Sequence, residues 1–168
     1  MSTARVAVVG ATGVLGGELV RLLAQHPNVE LTAVCGSSSA GQLLHEARPS
    51  LRGTGELTVR KFDATWLAKT CDLAFLALPH GTSAEPAQEL LAQGVRVIDL
   101  GSDFRLRDTD AVRHYYGGEP APDSLRKRAH YSLPELTGPP AQSCQLIANP
   151  GCFATALALV LAPLATHM

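Results

Sequence analysis

Residues 5–25 constrain this chain more than any other stretch. A short β-branched run at 5–9 leads straight into Gly10-Ala11-Thr12-Gly13-Val14-Leu15-Gly16, with Gly17 behind it. Apolar residues at 14, 15, 19, 22 and 23 then recur at helical spacing, and His26-Pro27-Asn28 ends the pattern. A glycine-rich turn between a strand and a helix lets the backbone come close to an anion and aims N–H groups at it. The segment therefore implies a dinucleotide-binding βα unit. The alternative is a tight turn with no ligand. No Gly-Lys-Ser/Thr follows, so this is not the loop of a nucleoside triphosphatase.

The rest of the chain continues the alternation. Strands are predicted at 5–9, 29–35, 56–61, 72–78, 95–100 and 145–148. Helices are predicted at 13–25, 63–69, 83–93, 108–116 and 152–165. Strands that alternate with helices imply an α/β fold with a doubly wound parallel (Rossmann-type) sheet. At 168 residues and 46% hydrophobic, the chain is sized for one domain with a proper core. A net charge of -1 with no basic stripe argues against a nucleic-acid partner. No apolar run reaches the ~20 residues that span a bilayer, and the longest, 152–165, reads as a buried helix. The N-terminus lacks the apolar core of a secretion signal, which implies a cytoplasmic chain. The cysteines at 35, 71, 144 and 152 have no Cys-x-x-Cys spacing and the six histidines are scattered, so no metal site is expected.

In such a sheet ligands sit beyond the carboxyl ends of the strands. Five loops lie there. Gly10 to Gly16 is the first. In the second, Gly36-Ser37-Ser38-Ser39, no carboxylate is available for a ribose 2′-hydroxyl. Small hydroxyl donors suit a 2′-phosphate and favour NADP, although a plain polar turn also fits. The third is Leu78-Pro79-His80-Gly81-Thr82-Ser83. His80 is either a general base or a residue placed by the turn, and Thr82 or Ser83 is expected to cap the next helix. The fourth, Gly101-Ser102-Asp103-Phe104-Arg105, offers a guanidinium to an anion or to a salt bridge with Asp103 or Asp108. The fifth is Asn149-Pro150-Gly151-Cys152. It puts Cys152 in the first turn of a helix, where the positive end of the dipole favours a thiolate. Cys152 thus reads as a nucleophile, and Cys35, Cys71 and Cys144 as inert thiols.

Together these loops resemble the N-acetyl-γ-glutamyl-phosphate reductases of arginine biosynthesis. The resemblance rests on Val9 to Gly13 with Gly16, on Leu76-Ala77-Leu78-Pro79-His80-Gly81, and on Val97-Ile98-Asp99-Leu100-Gly101-Ser102-Asp103-Phe104-Arg105-Leu106. It continues through Tyr131-Ser132-Leu133-Pro134-Glu135-Leu136 and Ala148-Asn149-Pro150-Gly151-Cys152. It implies NADP as cofactor and an acyl-phosphate substrate attacked by Cys152. Gly10, Thr12, Gly13, Val14, Leu15, Gly16, Ser37, Ser38, Leu78 and Pro79 would contact the cofactor. Arg105 and Asn149 would contact substrate. Where Ser37 and Ser38 stand, many members of that family carry arginines. The resemblance also implies that 1–150 is the NADP-binding domain and that 151–168 opens a substrate and dimerisation domain. On that reading the chain is the N-terminal part of a homo-oligomeric enzyme and has little activity alone. Two other readings stay open: a lysine-pathway reductase of aminoadipyl phosphate, and a nucleotide-binding module without catalysis.

Overall fold

The computed structural model describes residues 3–165. The chain runs β1 (Ala4–Val9), α1 (Val14–Leu23), β2 (Val29–Cys35), α2 (Leu44–Ala47), a 3₁₀ turn (Pro49–Leu51), α3 (Ala64–Thr70) and β3 (Leu73–Leu76). It continues through α4 (Ala84–Ala92), β4 (Arg96–Asp99), α5 (Thr109–Tyr116), α6 (Asp123–Arg128), β5 (His130–Tyr131), α7 (Pro134–Thr137), β6 (Leu146–Ala148) and α8 (Cys152–Ala165). All six strands are parallel, in the order β2-β1-β3-β4-β6-β5.

β1 is buried on both faces, which is why its sequence is a continuous apolar run rather than an alternating one. Val6 and Val8 pack on one side with Val20 and Leu23 of α1 and with Val34. Ala7 and Val9 pack on the other side with Leu67 of α3 and with Ala87 and Leu90 of α4. Strand order reverses at β1: the chain goes outward to β2 and then returns across β1 to β3. The crevice where the order reverses is where ligands of such sheets bind.

Three expectations need correction. Residues 56–61 do not form a strand. Their backbone bonds are divided between two partners: Arg60 N donates to Val34 O at 3.0 Å, whereas Val59 N donates to Gln42 O at 2.9 Å. Only isolated bridges, Cys35 with Arg60 and Leu43 with Thr58, result. The segment covers the outer edge of β2 instead of extending the sheet. The helix at 152–165 has its predicted limits but is not buried: it has no buried residue, and Phe153 is 83% exposed. Its side chains are apolar on every face, so nothing in the chain's own sheet can cover it. The helices α2, α6 and α7 and the short strand β5 were not anticipated.

Candidate active site

The glycine loop forms the floor of a cleft of about 660 Å³ at the β1–β3 switch point. Gly10 is the pivot. Its φ is +87°, and a Cβ there would lie 2.2 Å from the Ala77 carbonyl oxygen just beyond β3. Only glycine allows that conformation and that approach together. Helix α1 then begins at Val14 with no side chain capping it; its N-cap is Gly13. Two other helices, by contrast, carry an Asp cap. Asp63 accepts from Trp66 N at 2.9 Å at the head of α3, and Asp108 accepts from Ala111 N at 2.6 Å at the head of α5. The free N–H groups of α1 and its dipole are thus left for an anion, and the cleft meets the first requirement for a dinucleotide.

Of the residues expected to contact a cofactor, Gly10, Thr12, Gly13, Val14, Leu15, Ser37, Ser38, Leu78 and Pro79 line this cleft. Gly16 does not. It lies behind the loop, where a Cβ would come 2.1 Å from the Gly10 carbonyl oxygen, so its task is packing α1 against the loop. Lys61 lines the cleft beside Ser37 and Ser38, and it is the one charged side chain in that lining. Sequence reasoning missed it because 56–61 read as a strand rather than as a cover over the end of β2. It also missed Arg48, whose Nη1 donates to the carbonyls of Thr12 and Gly13 on the far side of the loop.

The second group of predicted residues forms a cluster of its own at the ends of β4 and β6. Arg105 Nε donates to Asn149 O and its Nη2 to Leu100 O, both at 2.9 Å. A Cβ on Gly151 would lie 3.0 Å from Arg105 Nη1, so the glycine makes room for the guanidinium beside the head of α8. Asn149 turns its side chain inward, Nδ2 donating to Pro150 O at 3.0 Å, and contributes its backbone to Arg105. Cys152 is the first residue of α8 and is exposed.

Neither salt bridge considered for Arg105 forms. Asp103 is already engaged: its carboxylate accepts from Gly81 N at 2.7 Å and from Ser83 N at 2.8 Å, and so caps α4 from another segment. Asp108 is held by its own cap. For the same reason the expected caps from Thr82 and Ser83 are absent. Thr82 Oγ1 donates back to Pro79 O at 2.7 Å, and Ser83 makes no capping bond through its side chain. His80 is exposed, with its ring 6.1 Å from that of Tyr116. It lines a neighbouring cavity with Ser102 and Asp103 rather than the glycine cleft.

Cys35 and Cys71 are buried, and Cys144 is half-buried with its Sγ 3.4 Å from Leu146 O. Burial pushes Cys35 up to about 12, helped by Cys71 and Asp63, and pushes Cys71 up to about 11, helped by Asp72. Burial also pushes the Asp99 carboxyl, at the end of β4, up to about 6. The Ser83 hydroxyl and the Gly101 N–H pull it partly back, although Asp99 Oδ2 and Ser83 Oγ lack well-formed bonds. No helix among the described residues is long and apolar enough to cross a membrane.

A parallel sheet with a glycine cleft at its switch point, and with an arginine and a helix-heading cysteine two strands away, defines the nucleotide-binding part of a dehydrogenase or reductase. Residues 5–143 match the family of the semialdehyde dehydrogenase NAD-binding domain, and the chain belongs to that family. A putative [LysW]-L-2-aminoadipate/[LysW]-L-glutamate phosphate reductase of Nitrosopumilus maritimus is 45% identical over 161 residues, covering 95% of this chain and 46% of that protein. An N-acetyl-gamma-glutamyl-phosphate reductase of Magnetococcus marinus is 43% identical over 162 residues, covering 96% and 46%. The chain thus spans about half the length of the curated relatives it matches. A probable aspartate-semialdehyde dehydrogenase of Pseudomonas aeruginosa shares the fold with a TM-score of 0.64 at 28% identity, over 97% of this chain and 42% of that one. Aspartate semialdehyde dehydrogenase of Candida albicans, solved with NADP, gives a TM-score of 0.70 at 19% identity, over 99% and 48%. That likeness speaks for the fold alone.

Proposed function

We propose that this chain is the cofactor and nucleophile half of an NADP-dependent acyl-phosphate reductase acting on N-acetylglutamyl 5-phosphate. The observation that supports it most is that Cys152 heads α8 beside Arg105, on the same edge of the sheet as the glycine cleft. Residues 1–150 form the cofactor domain. The apolar, uncovered surface of α8 supports reading 151–168 as the start of a substrate and dimerisation domain, in a cytoplasmic homo-oligomer. Four free cysteines suit a reducing compartment.

The cofactor would be held by the loop from Gly10 to Gly16 at its pyrophosphate, and by Ser37, Ser38 and Lys61 at its 2′-phosphate. Leu78 and Pro79 would flank it at the end of β3. A cation and two hydroxyls, with no carboxylate in the lining, favour a phosphate over a bare 2′-hydroxyl. Bound there, the nicotinamide supplies the hydride that reduces the acyl group.

Cys152 Sγ attacks the acyl-phosphate carbonyl, the C–O bond to phosphate breaks, and the acyl group remains on sulfur as a thioester. Arg105 holds an anionic group of the substrate. It makes no salt bridge with Asp103 or Asp108, which are committed to backbone N–H groups. Asn149 fixes the guanidinium through its carbonyl.

The test is a single-turnover experiment. The chain is mixed with N-acetylglutamyl phosphate, released phosphate is measured, and the protein is examined by peptide mass spectrometry. One phosphate per chain and an acyl adduct on Cys152 are expected. Saturable NADPH binding with no adduct on Cys152 would instead make this a non-catalytic nucleotide module. The Nitrosopumilus maritimus protein, 45% identical, points to a second substrate, the [LysW]-L-2-aminoadipate or [LysW]-L-glutamate phosphate of its name. Whichever acyl phosphate labels Cys152 faster identifies the pathway.

A further inference from the structure

The glycine loop is braced from behind by a residue distant in sequence. Arg48, at the end of α2, reaches back to the loop, and its Nη1 donates to Thr12 O at 3.2 Å and also to Gly13 O. Its Nε is steadied by Ser50 Oγ at 3.3 Å. The guanidinium passes over Gly17, where a Cβ would lie 2.4 Å from Nε and 2.5 Å from Cζ. Gly17 has no positive φ and sits within a helix, so the room it leaves for Arg48 is the visible reason for a glycine there. Among the described residues Arg48 makes no direct ion pair, although its charge reaches the Glu18 carboxylate on α1 and helps Arg21 hold it below the usual carboxylate value.

A trans peptide is planar, so fixing a carbonyl fixes the next N–H in the opposite direction. The Gly13 carbonyl belongs to the same peptide as the Val14 N–H, which opens α1 and has no acceptor within the helix. The Gly13 carbonyl already accepts from Gly17 N at 2.9 Å in the first turn of α1, and Arg48 is a second donor to it. We infer that Arg48 is a positioning residue for the cofactor pyrophosphate: by holding the Thr12 carbonyl and reinforcing the hold on the Gly13 carbonyl behind the loop, it keeps the Val14 N–H aimed into the cleft and adds positive charge behind it. This rests on the cofactor reading above. Lysine cannot substitute fully, because its single nitrogen can reach the two carbonyls that Nη1 meets but has no second donor in the place of Nε to bond Ser50 Oγ.

The experiment uses the 168-residue chain, with NADPH and adenosine 2′-monophosphate as probes. The second probe carries the 2′-phosphate but no pyrophosphate. Arg48→Met is expected to weaken NADPH binding about tenfold, the worth of one charge-assisted hydrogen bond, and to leave the monophosphate within about twofold. Arg48→Lys should recover part of the loss. Gly17→Ala keeps the arginine but displaces it, and should weaken NADPH as Arg48→Met does. Unchanged NADPH binding in Arg48→Met and Gly17→Ala, or equal losses for both probes, overturns the assignment. A wild-type chain that binds the monophosphate but not NADPH overturns it as well. A wild type that binds neither overturns the cofactor reading beneath it.

Discussion

Gly16→Ala sets helix propensity directly against packing, and the structure decides the sign. In an ordinary helix this exchange stabilises by about 1 kcal/mol. Here the new Cβ would meet Gly10 O at 2.1 Å, the Gly10 carbonyl carbon at 2.8 Å and Ala11 Cα at 3.0 Å, all of them backbone. Ordinary contact begins at 3.4 Å, so something must move by more than an ångström. Gly10 cannot yield: its N–H is bonded to Cys35 O at 2.9 Å, and its other side faces Ala77. The movement therefore falls on α1, which pulls Val20 and Leu23 away from Val6, Val8 and Val34 and stretches the 3.1 Å bond from Gly13 N to Gly10 O. Overpacking of this kind costs about 3 kcal/mol, and the strained hydrogen bond roughly 1 more. Against the propensity gain, the net loss is about 2–3 kcal/mol, or a fall in Tm of roughly 5–10 °C for a domain of this size. Thermal unfolding followed by circular dichroism measures it, with an NADPH titration on the same sample. The neighbouring Gly17→Ala is the control. There the clash is with the flexible Arg48 side chain, which can swing out, so Tm should stay close to wild type. A Gly16→Ala variant as stable as wild type would refute the reasoning, as would a Gly17→Ala variant that loses as much.

Other expectations follow from the same geometry. Asp99 has its folded value raised to about 6 from 3.8, so its contribution is fully favourable below pH 3.8 and is lost as pH rises through 6. Asp99→Asn should therefore be more stable than wild type by up to about 3 kcal/mol at pH 8, with the difference vanishing near pH 4 in urea titrations. Lys61→Glu should cut NADPH affinity far more than NADH affinity, and an unchanged ratio in fluorescence titration would remove Lys61 from the 2′-phosphate site. Arg105→Met should leave NADPH binding intact while abolishing acyl labelling of Cys152. Iodoacetamide at pH 8 should modify Cys152 in the native chain and reach Cys35 and Cys71 only in denaturant, because those two are buried.

How far the sequence could be read depended on whether a residue's environment is local. β1 was legible because burial on both faces leaves a plain apolar run, and α3 and α5 because Asp63 and Asp108 announce their first turns. The glycine loop was legible because its spacing is itself the structural requirement. Helix α2 was not, because its first residue is held from outside, Leu44 N donating to Leu57 O at 2.8 Å. Nor was α6. Its Arg126 is only 4% exposed, with its guanidinium spread over Ala121 O, Arg107 O and Thr109 Oγ1. In sequence it is one of three consecutive basic residues and looks like a solvated face. Lys61 and Arg48 were missed for a related reason: Lys61 lines the cleft and Arg48 braces its loop from segments whose paths are set by partners distant in sequence.

The fate of the carboxylates explains why Arg105 makes no salt bridge. Four acidic groups lie near the strand ends, and the fold uses three of them up internally. Asp103 holds the head of α4, Asp108 holds the head of α5, and Asp99 is buried with its carboxyl biased towards the neutral form. The fourth, Glu119, pairs with Arg113 at 3.2 Å. None forms a salt bridge with Arg105, although the buried Asp99 carboxylate feels its charge; Nε and Nη2 of Arg105 are spent on neutral carbonyls of two different strand ends, Leu100 and Asn149. Those bonds lock the β4 and β6 loops together without cancelling the positive charge, and they leave Nη1 directed at the Cβ-free side of Gly151, next to Cys152. Exchanging Gly151 for alanine would therefore disturb the arginine before it disturbed the helix.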